Sequence, residues 1–354
     1  MSMKIKTITF SNAQNWGAIL QTYALCKYIN SNNFDNSCEV IEYEKFDERW
    51  FKPRKILKDV FYSVLYYKRN VRRIARYKTF ITDNIPFAKE KTWKELNDST
   101  DVFITGSDQV WNCSNGIVPE FYLEPVSDNV IKIAYAPSFG IKKIPLEYQK
   151  HIAENIKRIE YLSVRETSGQ KIVKELTGRD ARIVVDPVFL ISENEWRTLS
   201  SDPVEKDYLF VYVTEISDKV TLLVKKYTAQ NPNCKVITPY AIPGVRAIIK
   251  KDIGPAQFLG LIKNAKAVIS TSFHATAFSL IFKKGFCVVP HSTTGSRVTD
   301  LLNKIGMEKA IYSDNYDLND LSYNPVYHDK LDDWIAESKQ FINTSLDLAS
   351  KTLS

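Results

Sequence analysis

The chain is poor in the residues that build metal and redox centres. Its 354 residues hold four histidines and five cysteines. The cysteines (Cys26, Cys38, Cys113, Cys234 and Cys287) show no CxxC pairing and no zinc-like spacing, so no metal site is expected from them. An odd, scattered set fits a reducing compartment, and a cytoplasmic location is expected. No apolar run approaches the roughly 20 residues that span a bilayer. The first ten residues lack the apolar core and cleavage site of a secretion signal, and they read as a first strand. Glycine-rich phosphate loops are missing as well, since neither GxGxxG nor the GxxxxGK loop occurs.

The most informative shortage is of acid. From Ile253 to Thr299 there is no Asp or Glu, while Lys263, Lys266, Lys283, Lys284, Arg297, His274 and His291 all fall inside that interval. Within it, Ala267 to Ile269 reads as a buried strand, hydroxyl residues follow, and an apolar-periodic helix runs on through Leu280 and Phe282. His274 lies at the turn, where the first free N–H groups of the helix point. Strand ends feeding helix N-termini commonly bind anions in α/β proteins. Two readings follow: an anionic ligand over a histidine, or a core histidine in an ordinary strand–turn–helix.

Charge of the other sign is concentrated elsewhere. The net charge is +7, yet the segment between Lys52 and Lys78 carries ten Lys/Arg against one acid, Asp59, which leaves the rest of the protein slightly acidic. Leu57, Val60, Phe61, Val64 and Leu65 recur there at helical spacing. A basic amphipathic helix can lie on an anionic membrane surface; it can equally pack by its apolar stripe with its cations in water. Nucleic acid is not an expected partner, because no recognised motif accompanies the patch.

The remainder is that of a soluble globular protein, 44% hydrophobic and 25% charged, long enough for two domains. Strands are expected near residues 5–10, 39–43, 101–105, 132–136, 162–164 and 182–185, with helices between them, as in a doubly wound sheet. A second series follows at 208–213, 235–238, 267–271 and 286–289. The expected division is an N-terminal domain over 1–190 with a basic helical insertion at about 52–80, a C-terminal domain over 191–330, and a final helix over 331–354 that packs back on the first domain. Several strand ends deliver polar residues, as binding crevices in open α/β sheets do.

Six motifs in order resemble the polysaccharide pyruvyl transferase family. They are Asn15-Trp16-Gly17-Ala18-Ile19-Leu20-Gln21, Gly106-Ser107-Asp108-Gln109-Val110-Trp111-Asn112, Ala136-Pro137-Ser138-Phe139-Gly140, Ser163-Val164-Arg165-Glu166, Val185-Asp186-Pro187-Val188 and Ser272-Phe273-His274. The resemblance implies two Rossmann-like α/β domains facing a cleft, a GT-B-like fold. It also implies transfer of a pyruvyl group from phosphoenolpyruvate to a sugar of a surface polysaccharide or its lipid-linked precursor, forming a cyclic ketal. By the same matching, the donor-site arginine is Arg165 and the histidine is His274. Family members commonly carry Arg-x-His, whereas here Ser272 stands two before His274. That arginine's contact is missing, or is supplied by Arg297 or a lysine.

These residues suit the chemistry implied. Phosphoenolpyruvate needs cations and helix N-termini, and its reaction needs a general acid and an anion clamp but no metal or redox cofactor. His274 is expected as acid or phosphate ligand, and Arg165 as the clamp, with a salt bridge to Glu166 or Asp186 as its alternative. Ser272, Ser296 and Arg297 complete the donor side. Ser296 is expected to cap a helix, and an arginine next to it opposes the helix dipole unless an anion compensates. On the acceptor side, Asp108 is the candidate base and Gln109 orients hydroxyls, with Ser107 and Ser138 beside them. Asn15, Gly17 and Gln21 flank the first strand end, and Trp111 stacks on a sugar face or belongs to the core. A cytoplasmic enzyme, peripheral at the inner face of the membrane through the basic segment, is the expectation. Alternatives are a GT-B glycosyltransferase using a nucleotide sugar, against which the acid-free interval speaks, and a non-catalytic anion-binding or membrane-associated protein.

Overall fold

The computed structural model describes residues 2–31, 36–43, 60–292, 295–321 and 327–353, with the backbone alone for 60–69. In chain order the first elements are β1 (Lys4–Ile8), α1 (Trp16–Ser31), β2 (Ser37–Val40), α2 (Val60–Asn84), α3 (Trp93–Ser99) and β3 (Val102–Thr105). Next come β4 (Ile131–Ala134), α4 (Leu146–Lys157), β5 (Tyr161–Val164), α5 (Thr167–Thr177), β6 (Arg182–Ile183) and α6 (Glu193–Leu199). The second series is β7 (Tyr208–Tyr212), α7 (Asp218–Gln230), β8 (Lys235–Thr238), β9 (Ile248–Ile249), α8 (Pro255–Lys263) and β10 (Ala267–Ser270). It ends with α9 (Phe273–Ile281), β11 (Gly285–Val288), α10 (Ser296–Ile305) and α11 (His328–Leu353).

Two sheets result, both parallel throughout. The first has six strands in the order β2-β1-β3-β4-β5-β6, and the second five in the order β11-β10-β7-β8-β9. Strands covered on both faces are largely apolar, and β3, β4, β7 and β10 are buried at every position, Lys132 of β4 included. Strand order reverses between β1 and β3 in one sheet and between β7 and β10 in the other. Those reversal points are where open α/β sheets leave a crevice beyond their carboxyl ends. Both are flanked by helices buried on nearly every side, α1 and α9. Such all-round burial requires apolar and small residues around the whole circumference. Their hydroxyls are satisfied by carbonyls one turn back: Thr22 donates to Ala18 at 2.8 Å and Ser279 to Ala275 at 2.7 Å.

The chain forms two compact units, one of residues 1–45, 84–191 and 329–354, the other of 46–83 and 192–328. The basic helix therefore groups with the second unit and not, as its place in the sequence suggests, with the first. Its contacts explain why. Arg76 Nη1 donates to the Asp252 carbonyl at 2.6 Å and meets its carboxylate at 3.2 Å. Gly254 leaves room for the helix, since a Cβ there would lie 2.6 Å from Arg76 Cβ. Residues 52–59 of the basic segment lie outside the described residues. Helix α11 belongs to the first unit, where Trp334 Nε1 donates to Ile183 O at 3.0 Å and Ser338 Oγ accepts from Val185 N at 3.0 Å.

Three short elements escaped the sequence reading: α3, α6 and the two-residue edge strand β9. Both helices carry a capping box that announces them, Thr92 with Glu95 and Ser192 with Glu195. No described helix is long and apolar enough to cross a membrane.

Candidate functional site

In the first unit, the loops beyond β1, β3, β4, β5 and β6 are tied into one polar network. Thr9 Oγ1 donates to Ser107 O and accepts from Gln21 Nε2, each at 2.9 Å. Ser107 Oγ donates to Asp186 Oδ2 at 3.1 Å, and Arg165 Nη1 donates to the same oxygen at 2.6 Å. Arg165 Nη2 lies 3.5 Å from Asp108 Oδ1. Glu166 Oε1 accepts from Ser138 Oγ at 2.9 Å and Phe139 N at 3.2 Å. Backbone bonds join the same loops, with Ser138 N donating to Asp108 O at 2.8 Å and Arg165 N to Pro137 O at 3.3 Å. Asp108 holds a left-handed backbone, φ 70°, a strained position for a residue with a Cβ.

Burial sorts the expected residues. The Arg165 side chain is 2% exposed and Asp186 is wholly covered. Burial works against the arginine's charge, and Asp186, Asp108 and Glu166 more than offset it, so its pKa is raised. The salt-bridge alternative for Arg165 is therefore what the geometry displays, and an exposed anion clamp is not. Trp111 is a core residue and not a platform for a sugar: it is 0% exposed, lies stacked with Tyr122 and donates through Nε1 to Phe121 O at 3.0 Å. Gln21 is likewise enclosed, its amide shared among Thr9, Ala18 and Thr22. Ser107, Ser138 and Gly17 are buried too. Asn15 is exposed, and its Oδ1 accepts from Gly17 N at 3.0 Å at the start of α1. Gln109 is partly exposed and accepts from Asn112 Nδ2 at 2.8 Å. Gly140, at φ 64°, is demanded by that contact, since a Cβ would sit 2.6 Å from Gln109 Oε1. Of the acceptor set, Asn15, Gln109 and the edge of Asp108 reach the surface. Asp186 and Glu166 were legible as acids ending a strand and beginning a helix, yet their partners come from loops remote in sequence.

The second unit's crevice is built from hydroxyls. Ser270 Oγ donates to Tyr212 O at 2.6 Å, Thr271 N reaches the same carbonyl at 3.2 Å, and Thr271 Oγ1 accepts from Thr214 N at 2.8 Å. Ser270 Oγ also accepts from Ser272 N at 2.9 Å. No side chain caps α9 at its Ser272 start. His274 follows in the first turn and is 6% exposed. Helix α10 begins behind Gly295, and it is Gly295, not Ser296, that occupies the cap position. A Cβ at Gly295 would lie 2.6 Å from His291 O, so the tight turn admits only glycine. Ser296 and Arg297 stand in the first turn of α10, both partly exposed. His274 and Arg297 thus lie beyond the ends of adjacent strands, β10 and β11.

In space the acid-free interval is not acid-free. Lys263 meets Asp202 at 2.6 Å, Lys266 meets Asp207 at 2.8 Å, and Lys283 meets Glu193 at 3.6 Å. All three lysines precede β10 or β11, at the amino edge of the sheet, remote from the crevice. At the carboxyl edge, Glu215 accepts from Ser292 N at 2.7 Å and lies 3.6 Å from His291. Lys284, just ahead of β11, stands at the same amino edge, so the cations expected beside the crevice reduce to His274, His291 and Arg297. Among the described residues, no group of His, Cys, Asp and Glu is arranged to hold a metal.

The fold is shared with a solved UDP-GlcNAc 2-epimerase. UDP-GlcNAc 2-epimerase from Neisseria meningitidis, solved with UDP-GlcNAc, is 8% identical over 97% of this chain and 99% of that chain, with a TM-score of 0.53. UDP-GlcNAc 2-epimerase from Methanocaldococcus jannaschii is 12% identical over 91% and 90%, at 0.47. MurG from Acinetobacter baumannii is 8% identical over 99% and 100%, at 0.43. At such identities the likeness is one of fold alone, two Rossmann-like domains of the GT-B kind. No curated protein matches significantly. The polysaccharide pyruvyl transferase family profile matches residues 15–293, most of both units and all six sequence motifs, and the chain belongs to that family.

Proposed function

We propose that the protein transfers the pyruvyl group of phosphoenolpyruvate to two hydroxyls of a glycan or lipid-linked sugar, releasing phosphate. The observation that carries this reading is His274 in the first turn of α9, beyond the switch strand β10, in a member of a pyruvyl transferase family. In the proposed reaction His274 protonates the enol carbon or holds the phosphate, while the N-terminus of α9 and the Arg297 guanidinium hold the anion. Protonation makes an oxocarbenium-like centre, one hydroxyl adds to it, phosphate leaves, and a second hydroxyl closes the ketal. One hydroxyl proton replaces that given to carbon, and the other departs with phosphate. No metal or redox cofactor is required by this chemistry. In the same proposal Asp108 is the base, and Arg165 positions it from within the buried network. In the same proposal the reaction takes place in the cytoplasm. Of the basic segment's described cations, Arg72 and Arg76 face Asp252.

The test is incubation of the purified protein with phosphoenolpyruvate and candidate glycans. Acceptor-dependent phosphate release is expected; none with any pyruvylatable diol, together with phosphate-free binding of a nucleotide sugar, would overturn it. One observation favours that second reading, transfer from a nucleotide sugar. Glu215 places a carboxylate at the carboxyl edge of the second sheet, where a ribose could be held.

A further inference from the structure

The second unit holds a cavity of about 520 Å³ that takes no part in its crevice. The walls come from the end of α7, the first residues of β8 and the loop leading into β9, all at the amino edge of the sheet. Crevices of open α/β sheets lie beyond the carboxyl ends, so this cavity is a separate feature of the fold. Its volume falls within the range of small-molecule sites, about 300 to 1,000 Å³.

Three cations line it, Lys225, Lys235 and Arg246. Among the described residues no carboxylate and no aromatic ring lines it, and none of the three cations is held in an ion pair. Other lysines of the unit differ in this. Lys250 meets Glu205 and Lys266 meets Asp207, each at 2.8 Å, and Lys263 meets Asp202 at 2.6 Å. Those three acids are thereby engaged, and Lys235 acts on Glu205 and Asp207 only as a further charge. The carboxyl end of α7 attracts cations across its last turn, but Lys235 and Arg246 belong to other elements. Like charges gathered around one concavity repel one another and focus a positive potential into it, and a bound anion relieves that repulsion.

The backbone keeps the space open. Gly244 holds φ 68°, and a Cβ there would lie 3.1 Å from Lys225 Nζ, so the ammonium group rests against bare main chain. Another part of the lining is apolar. Val236 is buried, Val245 and Ala247 pack partly against the second unit's core, and Ile248 follows them into β9. Thr228 and Asn233 add uncharged polar groups.

We propose that this cavity is a binding site for a diphosphate group, separate from the donor crevice. A single phosphate carries at most about two negative charges at neutral pH, one short of the three cations, and a second phosphate supplies the rest. The arginine's fork suits one phosphate, and the two lysines serve as point charges. Two sources share this chemistry, a free diphosphate and one carried on an apolar chain, for which Val245, Ala247 and Ile248 offer contact. The proposal does not depend on the donor reading above.

The experiment is calorimetric titration of the full-length protein with inorganic pyrophosphate, inorganic phosphate and geranyl diphosphate. Pyrophosphate is expected to bind once per chain, more tightly than phosphate, and to weaken as salt is raised. Arg246→Gln should raise its Kd about tenfold, the size of a lost charge-assisted bond. Lys251→Gln, which removes the same charge from the surface outside the cavity, should stay within about twofold. His274→Ala should do the same, because the crevice is not involved. Arg246 and Lys251 are exposed, so equal thermal midpoints without ligand are expected and check the fold. Tighter binding of geranyl diphosphate than of pyrophosphate assigns the site to a diphosphate on an apolar chain, and equal binding assigns it to a free one. Wild-type affinity in Arg246→Gln overturns the proposal, as does a loss in His274→Ala in place of Arg246→Gln. Phosphate that binds as tightly as pyrophosphate ends the diphosphate assignment, and a protein that takes neither diphosphate has no such site.

Discussion

The two switch points have the same topology and opposite chemistry. Beyond β1 and β3 the first unit gathers three carboxylates, Asp108, Asp186 and Glu166, around one buried guanidinium. Beyond β7 and β10 the second unit gathers hydroxyls, a histidine and an uncapped helix start. A surplus of carboxylates suits hydroxyl donors and repels phosphate; a helix N-terminus and a histidine suit an anion. In the proposed function one scaffold would thus serve two ligand classes, because the loops after the strands, not the strands, carry the chemistry. Within the first unit the charges also serve the fold, since they join loops from four strand ends. That difference predicts that mutations will separate stability from turnover.

The largest effect should fall on the first network. Asp186→Ala leaves the Arg165 guanidinium buried beside a lost partner and should cost about 3–5 kcal/mol in chemical denaturation. Were the variant to fold as well as wild type and lose only activity, the network would be a ligand site and not a brace. His274→Ala is the mirror experiment. It should lower kcat by about 10²–10⁴-fold, the range for a general acid, while the denaturation midpoint moves little. A His274 variant that keeps full turnover with phosphoenolpyruvate would remove the acid from the mechanism. Trp111→Phe comes next: it strips the bond to Phe121 O from a sealed core and should cost about 1–3 kcal/mol, with KM for the sugar unchanged. A raised sugar KM at unchanged stability would return Trp111 to the acceptor site.

The strands and most helices were legible because apolar runs and periodicity are local signals, and residues 267–282 read as strand, turn and helix as found. The site was legible in part. The positions of Asp108, Arg165 and His274 at strand ends followed from the motifs, since a strand end is a local feature. Their exposure did not, because whether Trp111 meets a sugar or Tyr122 depends on a turn ten residues on. The acid-free interval misled for a related reason: Asp202, Asp207, Glu193 and Glu215 are distant in sequence and adjacent in space. Charge counted along a chain overstates charge at a site whenever parallel strands bring in acids from other crossovers. The basic segment shows the same limit, as its anchor Asp252 lies far along the chain.

The smallest predicted effect tests whether the first unit's charges all belong to its switch point. Lys6, buried within β1, pairs with Glu39 on β2 and with Glu90 at 3.2 Å, a cluster apart from the crevice loops. Ser99 Oγ donates to Glu90 at 2.6 Å. That bond, with Lys6 helping and burial opposing, lowers the Glu90 pKa from 4.5 to about 2. A carboxylate depressed in the folded state adds stability above its unfolded pKa and loses it as the pH falls towards the folded value. The contribution of Glu90 should therefore be complete at neutral pH and disappear between about pH 4.5 and 2. A fifth of the side chain still reaches water, so screening should hold it to about 1 kcal/mol. The measurement is the difference between wild type and Glu90→Gln in urea denaturation, at pH 7 and at pH 3, which cancels the titration of every other group. A gap that narrows to about half or less at the lower pH assigns this cluster to the register of β1 on β2. A gap that persists would mean that Glu90 acts through packing, and that the charge in the first unit is more nearly all at its switch point.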